Sequence, residues 1–196
     1  MSAFASAPRR AVLADVIPGS RVRDAILVVS GALLTALFAQ ISIEVPGSPV
    51  PITGQTLAVG LVGATLGLRR GMASLSLYAL LGLFLPFYAD GDSGWDVIWG
   101  ASGGYIIGFI FAAGFIGWMA EHGADRSLVM AFLAFVGGQL LIFAFGLAGL
   151  KIAVDESWGW TIHNGFTIFI FGGLVKAAIG AAVLPSAWGL VRRFER

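Results

Sequence analysis

Residues 54–88 read GQTLAVGLVGATLGLRRGMASLSLYALLGLFLPFY. The only charged side chains in this run are the neighbours Arg69 and Arg70. They divide it into two apolar segments, residues 54–68 and 71–88, read here as two membrane spans joined by a minimal turn. The first is short, because a hydrocarbon core of about 30 Å takes roughly 20 helical residues. Snorkelling, local thinning or help from the preceding loop must make up the difference. Outward from this pair, apolar runs at residues 25–43, 97–119, 127–150 and 160–191 complete six spans. The last is too long for one perpendicular helix, and Gly172 and Gly173 are expected to interrupt it.

The arginines support the count. Arg9, Arg10, Arg21 and Arg23 precede the first span, and Arg69 and Arg70 follow the second. Arg126 follows the fourth, and Arg192, Arg193 and Arg196 follow the sixth. With six spans all of them fall on one side, which is then cytoplasmic, with both termini there. The opposite loops hold Glu44, Asp90, Asp92, Asp96, Asp155 and Glu156, with Lys151 as the one base. Removing a span scrambles this pattern. All six tryptophans, Trp95, Trp99, Trp118, Trp158, Trp160 and Trp188, lie near predicted span ends, as in an interfacial belt.

Composition agrees. The 196 residues are 58% hydrophobic and 12% charged, against about 25% charged in a soluble domain. Mean hydropathy is +0.89. The 28 glycines suit close helix packing in lipid. A net charge of +1 gives no reason to expect nucleic acid. There is no cysteine, so no disulfide or thiolate site. The polar first 23 residues lack the apolar run of a secretory signal, and the first span is expected to act as its own uncleaved targeting signal. No internal repeat stands out. The expected organisation is a cytoplasmic segment 1–24, one membrane domain 25–191 and a cytoplasmic tail 192–196.

Lys176 is the side chain that most needs a reason. It lies inside the last span, where a charge costs about 2.5–3.5 kcal/mol on insertion scales, and no carboxylate within the spans is there to neutralise it. Sixteen residues separate it from Arg192, about 24 Å of helix, which places it toward the outer face. One reading is a cation that meets an anionic substrate from outside. The other is a lysine that snorkels outward or is neutral through burial. Glu44 is the one nearby acid that could pair with it.

The loop after the first span carries Pro46, Pro49 and Pro51, which forbid helix and stiffen the chain. Thr53 is placed to cap the next helix, with Gln55 and Thr56 in its first turn. The orphan amides of a helix start attract anions and polar ligands, though a plain capped turn would look the same. Ala32 and Ala36 give the first span a small-residue face, as Gly63, Gly67 and Gly71 do for the second and Gly104 and Gly108 for the fourth. Such faces let helices approach closely. Tyr105, Gln139, His163 and Asn164 are polar groups in apolar surroundings that need partners, from a pocket or from a neighbouring helix. No GxxxxGK[ST], HExxH or GxSxG pattern occurs, so an ATPase, a metalloenzyme and a hydrolase are disfavoured, and no cofactor is expected.

The segment Pro49-Val50-Pro51-Ile52-Thr53-Gly54-Gln55-Thr56-Leu57-Ala58-Val59 resembles the BioY family. These are the biotin-binding, substrate-specific subunits (S components) of energy-coupling-factor (ECF) transporters. The likeness continues through Gly63, Gly67, Gly71, Ser74, Tyr78 and Gly82, resumes at Ser102-Gly103-Gly104-Tyr105-Ile106-Ile107-Gly108-Phe109, and ends at Lys176-Ala177. It spans roughly residues 25–190. The resemblance implies an all-α, ECF S-component-like bundle of six transmembrane helices in the bacterial cytoplasmic (inner) membrane. It implies that Thr53 and Gln55 belong to a lid and pocket rim, that Tyr105 with Gly103 and Gly104 lies on the pocket wall, and that Lys176 meets the biotin carboxylate. It implies that Ala32 and Ala36 dock a transmembrane scaffold subunit of a coupling module with two ATPase subunits. The family commonly has an aspartate three residues before the lysine, where this chain has Gly173. That leaves the lysine more dependent on its ligand, and leaves Gln139, Asn164 or Asp90 to contact the ureido ring. An S component for another anionic vitamin, or a self-sufficient facilitator, are the alternatives; a membrane enzyme fits least.

Overall fold

The computed structural model describes residues 12–17, 19 and 21–194. Arg9, Arg10 and Arg196, with the rest of residues 1–11 and 195–196, lie outside the described residues. Helix α1 spans Arg21–Ala39, α2 Gln55–Leu81, α3 Trp95–Trp99, α4 Gly103–Glu121, α5 Leu128–Val154, α6 Trp158–Gly165 and α7 Ile170–Phe194. Four stretches are long and apolar enough to cross a membrane unaided: Arg21–Ala39, Gly103–Glu121, Leu128–Val154 and Trp158–Phe194. The chain is therefore an all-helical, multi-pass membrane protein. Its outward side chains agree, since Val22, Ile26, Leu33 and Leu37 of α1 and Leu128, Val129, Leu133 and Leu140 of α5 are exposed.

The stretch 54–88 divides, but not at the arginines. Gly67 holds φ 83° and ψ 179° inside α2. That backbone region is open essentially to glycine alone. The chain reverses there. Gln55 and Tyr78 are 23 residues apart, about 35 Å along a straight helix, yet Gln55 Nε2 donates to the Tyr78 hydroxyl. A Cβ on Gly71 would come within 3.2 Å of the Gly63 Cα, so the two arms touch backbone to backbone. The Glu121 carboxylate, at the end of α4, accepts from the Leu68 amide at 2.9 Å and caps the second arm. Each arm, taken alone, is shorter than the four stretches above, which explains why neither stands out by hydropathy.

α4 packs into this hairpin because both sides are small. A Cβ on Gly63 would lie 2.5 Å from the Ala113 carbonyl oxygen, and one on Gly117 2.5 Å from the Gly67 carbonyl carbon. Such contacts place helix backbones in van der Waals range, where dispersion and shape replace the hydrophobic effect that lipid does not supply. α5 then lies against α4, and α7 against α5 and α2.

Three features differ from the sequence reading. The long last apolar run breaks at Phe166 (φ −136°, ψ −58°), before α7, and not at Gly172 and Gly173, which lie inside α7. The carbonyl freed at the break, that of Gly165, accepts from the Tyr105 hydroxyl at 2.8 Å. The proline loop is pinned by a two-stranded ribbon, β1 (Ser42–Ile43) with β2 (Ile52–Thr53), a small exception to an all-helical chain. Trp188 is not in an interfacial belt. It is 6% exposed, its indole donates to the Asp125 carboxylate, and the Arg126 guanidinium sits 4.5 Å over its ring.

These last residues belong to the arginine-bearing end of the bundle. There Arg70 reaches Asp15 at 2.6 Å and Asp24 at 3.2 Å, tying the hairpin turn to α1 and to the short turn before it. The opposite end carries the proline loop, α3 and the start of α7, and there the helices part to leave a cavity.

Candidate functional site

The cavity holds about 180 Å³. Val50 and Thr53 of the proline loop, Tyr105, Ile106 and Phe109 of α4, Ile142 and Phe143 of α5, and Lys176 of α7 contribute to its wall. Local sequence explains the shape. Tyr105 needs room for its ring, and Gly146 and Gly165 provide it: a Cβ on Gly146 would fall 2.3 Å from the ring, and one on Gly165 2.7 Å from the hydroxyl. Tyr88 closes another side, ring to ring with Tyr78 at 5.8 Å and edge-on, its hydroxyl donating to Ala79 O at 2.6 Å. Phe143 meets Phe166 edge to face at 4.9 Å. That wall is aromatic and aliphatic, and polar groups, among them Gln55, Asp90, Asp92, Gln139 and Lys176, line the same cavity.

Lys176 is the polar group that dominates it. The side chain is half-buried, and its ammonium crosses to α2, donating to Thr53 O at 2.6 Å and to Thr56 Oγ1 at 3.2 Å. Among the described residues no carboxylate pairs with it. Glu44 is exposed and does not reach it. Nor does the helix end help, because the N-terminus of α2 carries partial positive charge from its aligned peptides. A cation and a helix N-terminus therefore share one corner of the cavity, and both favour an anion there.

Thr53 stands one residue before the helix cap, which is Gly54. Its hydroxyl accepts from the Gln55 amide at 3.3 Å and donates to Gln55 Oε1 at 2.7 Å. Thr53, Gln55, Tyr105, Gln139 and Lys176 all line the cavity. Gly103 and Gly104 flank it without lining it. Gly103 lies under the Ile98 carbonyl and Gly104 against the α5 backbone at Phe145 and Gly149, so each is glycine for packing. Asn164 also stands outside. Its side chain donates to Trp160 O at 3.0 Å, and its carbonyl accepts from Ser48 at 2.9 Å, fastening the proline loop to α6.

Ala32 and Ala36 are turned inward, 0% and 7% exposed. This corrects the expectation that they form a docking face. Their side of α1 is already used by α2, whose Ser74 would meet a Cβ on Gly31 at 2.6 Å. Ala32→Trp is accordingly expected to destabilise the bundle itself, by about 1–3 kcal/mol from overpacking. Melting of the detergent-purified variant checks this, and an unchanged midpoint would return Ala32 to the surface.

Asp90, read from the sequence as a candidate for the ureido ring, lines the cavity too, as do Thr56, Asp92 and Ser102, which the sequence did not place on a pocket wall. Thr56 was legible as a first-turn hydroxyl, one helical turn from nothing charged in sequence. Its partner, Lys176, is 120 residues away.

The family model described as BioY family matches residues 9–193. A "Biotin transporter BioY2" of Lactococcus lactis is 34% identical over 78% of this chain and 83% of its own length. A "Biotin transporter BioY" of Thermotoga maritima is 32% identical over 80% of this chain and 92% of its own. A solved structure described as the S-component for biotin from an ECF-type ABC transporter superposes with a TM-score of 0.72. It covers 91% of this chain and 95% of that one, at 22% identity.

Proposed function

The chain belongs to the BioY family, and we propose that it is the biotin-binding S component of an energy-coupling-factor uptake transporter. It is a transport subunit and not an enzyme. Biotin enters at the end away from the arginines. Its carboxylate takes the place of the Thr53 carbonyl beside Lys176, and its valeryl chain packs on Ile106, Ile142 and Phe143. The loop from Glu44 to Thr53, pinned by its ribbon and by Ser48, lies over the site as a lid. One observation carries this reading above the others: an ammonium group on the cavity wall whose bonded partners, among the described residues, are neutral oxygens.

The same layout supports the wider assignment. The two arms of α2, added to the four longer stretches, make six crossings with both termini on the cytoplasmic side, in the bacterial inner membrane. Residues 25–191 form one membrane domain. Energy comes from two ATPase subunits through a transmembrane scaffold, in keeping with a sequence that has no phosphate-binding loop of its own. Titration calorimetry of the detergent-purified chain against biotin and a panel of anionic vitamins tests the proposal. Saturable binding of biotin alone is expected. Preference for another vitamin would overturn the substrate, and biotin flux into vesicles holding this chain alone would overturn the dependence on a coupling module.

A further inference from the structure

We propose that Gln139 is the residue that reads the ligand's N–H donor, and that a glycine at position 173 is what holds it in place. The proposal rests on the biotin reading above and concerns how the ureido end is recognised. Gln139 projects from α5 onto α7, and its Nε2 donates to Gly173 O at 3.0 Å. That bond fixes which end of the amide is oxygen. Oε1 is then an acceptor without a protein donor among the described residues, on a side chain that lines the cavity.

The amide occupies the volume that a side chain at 173 would need. A Cβ on Gly173 would lie 2.3 Å from Gln139 Oε1 and 2.9 Å from Nε2. Position 173 is one turn before Lys176, but the two polar groups diverge. The lysine reaches across to α2, whereas the amide stays on the seam between α5 and α7. Ile106, Ile142 and Phe143 also line the wall. A ligand that carries an anion, an apolar body and an N–H group finds a partner for each on this wall. The amide is neutral, so it accepts from the N–H without cancelling the charge on Lys176.

The test compares biotin with an analogue methylated on both ureido nitrogens, using calorimetry on wild type, Gln139→Leu and Gly173→Ala. Gly173→Ala matters because it leaves the glutamine present. The atoms its Cβ would strike are the end of a flexible side chain, so the amide swings away and α7 keeps its course. Both variants are expected to bind biotin about tenfold more weakly, with little change for the methylated analogue. Full biotin affinity in both variants, or an equal loss for both ligands, would overturn the assignment of Gln139. Wild-type protein that binds no biotin would instead overturn the substrate reading, and this inference with it.

Discussion

Replacing Lys176 with alanine is expected to abolish most biotin binding. Truncating one partner of a buried, hydrogen-bonded charge pair costs about 3–5 kcal/mol, because the other charge is left desolvated and alone. At about 1.4 kcal/mol per decade, that is a loss of about a hundredfold to several thousandfold. Among the described residues the ammonium bonds to Thr53 O and Thr56 Oγ1 and to no carboxylate, and Asp90 and Asp92 line the same cavity without an ion pair to it. Biotin amide, which keeps the rings and chain but carries no charge, provides the control. Wild type should bind the amide poorly, and Lys176→Ala should bind biotin and its amide alike. If the variant still prefers biotin over the amide by the wild-type ratio, the carboxylate is recognised elsewhere.

The second large effect is structural. Gly67→Val should prevent the hairpin from forming. A residue with a Cβ pays about 1–3 kcal/mol to hold φ 83° with ψ 179°. The same Cβ would meet Glu121 Oε1 at 2.5 Å and disturb the cap on Leu68, adding an overpacking cost of about 1–3 kcal/mol. The sign of the result separates two structures. In a continuous helix, exchanging an interior glycine for alanine stabilises by about 1 kcal/mol. In the hairpin, even Gly67→Ala must destabilise. Melting of the purified Gly67→Ala and Gly67→Val proteins decides it, and a raised midpoint for the alanine variant would mean that α2 runs straight.

Arg69 and Arg70 marked the division of the 54–88 stretch, though the turn itself falls two residues earlier. Guanidinium groups are expelled from hydrocarbon wherever the turn lies, so they report the membrane surface and not the hinge. The hinge is set by Gly67, which in sequence looks like any of its neighbours. For the same reason the break in the last span was sought at Gly172 and Gly173. Glycine can end a helix, but Gly173 sits inside α7, where the Gln139 side chain takes the space a Cβ would need, a contact between residues 34 apart.

Hydropathy, charge placement and the proline loop are local and additive properties of a chain. They determined, from sequence alone, a multi-pass membrane protein, an arginine-bearing end, and one lysine with no acid inside the spans to neutralise it. Which way a side chain faces depends on what other segments bring to it. Tertiary structure alone turned Ala32 and Ala36 inward, carried the Lys176 ammonium to the start of α2, set Gln139 over Gly173, and removed Asn164, Gly103 and Gly104 from the cavity wall. Two helices with equal apolar content can meet on any pair of faces, and the choice is made by which small residues let their backbones come closest.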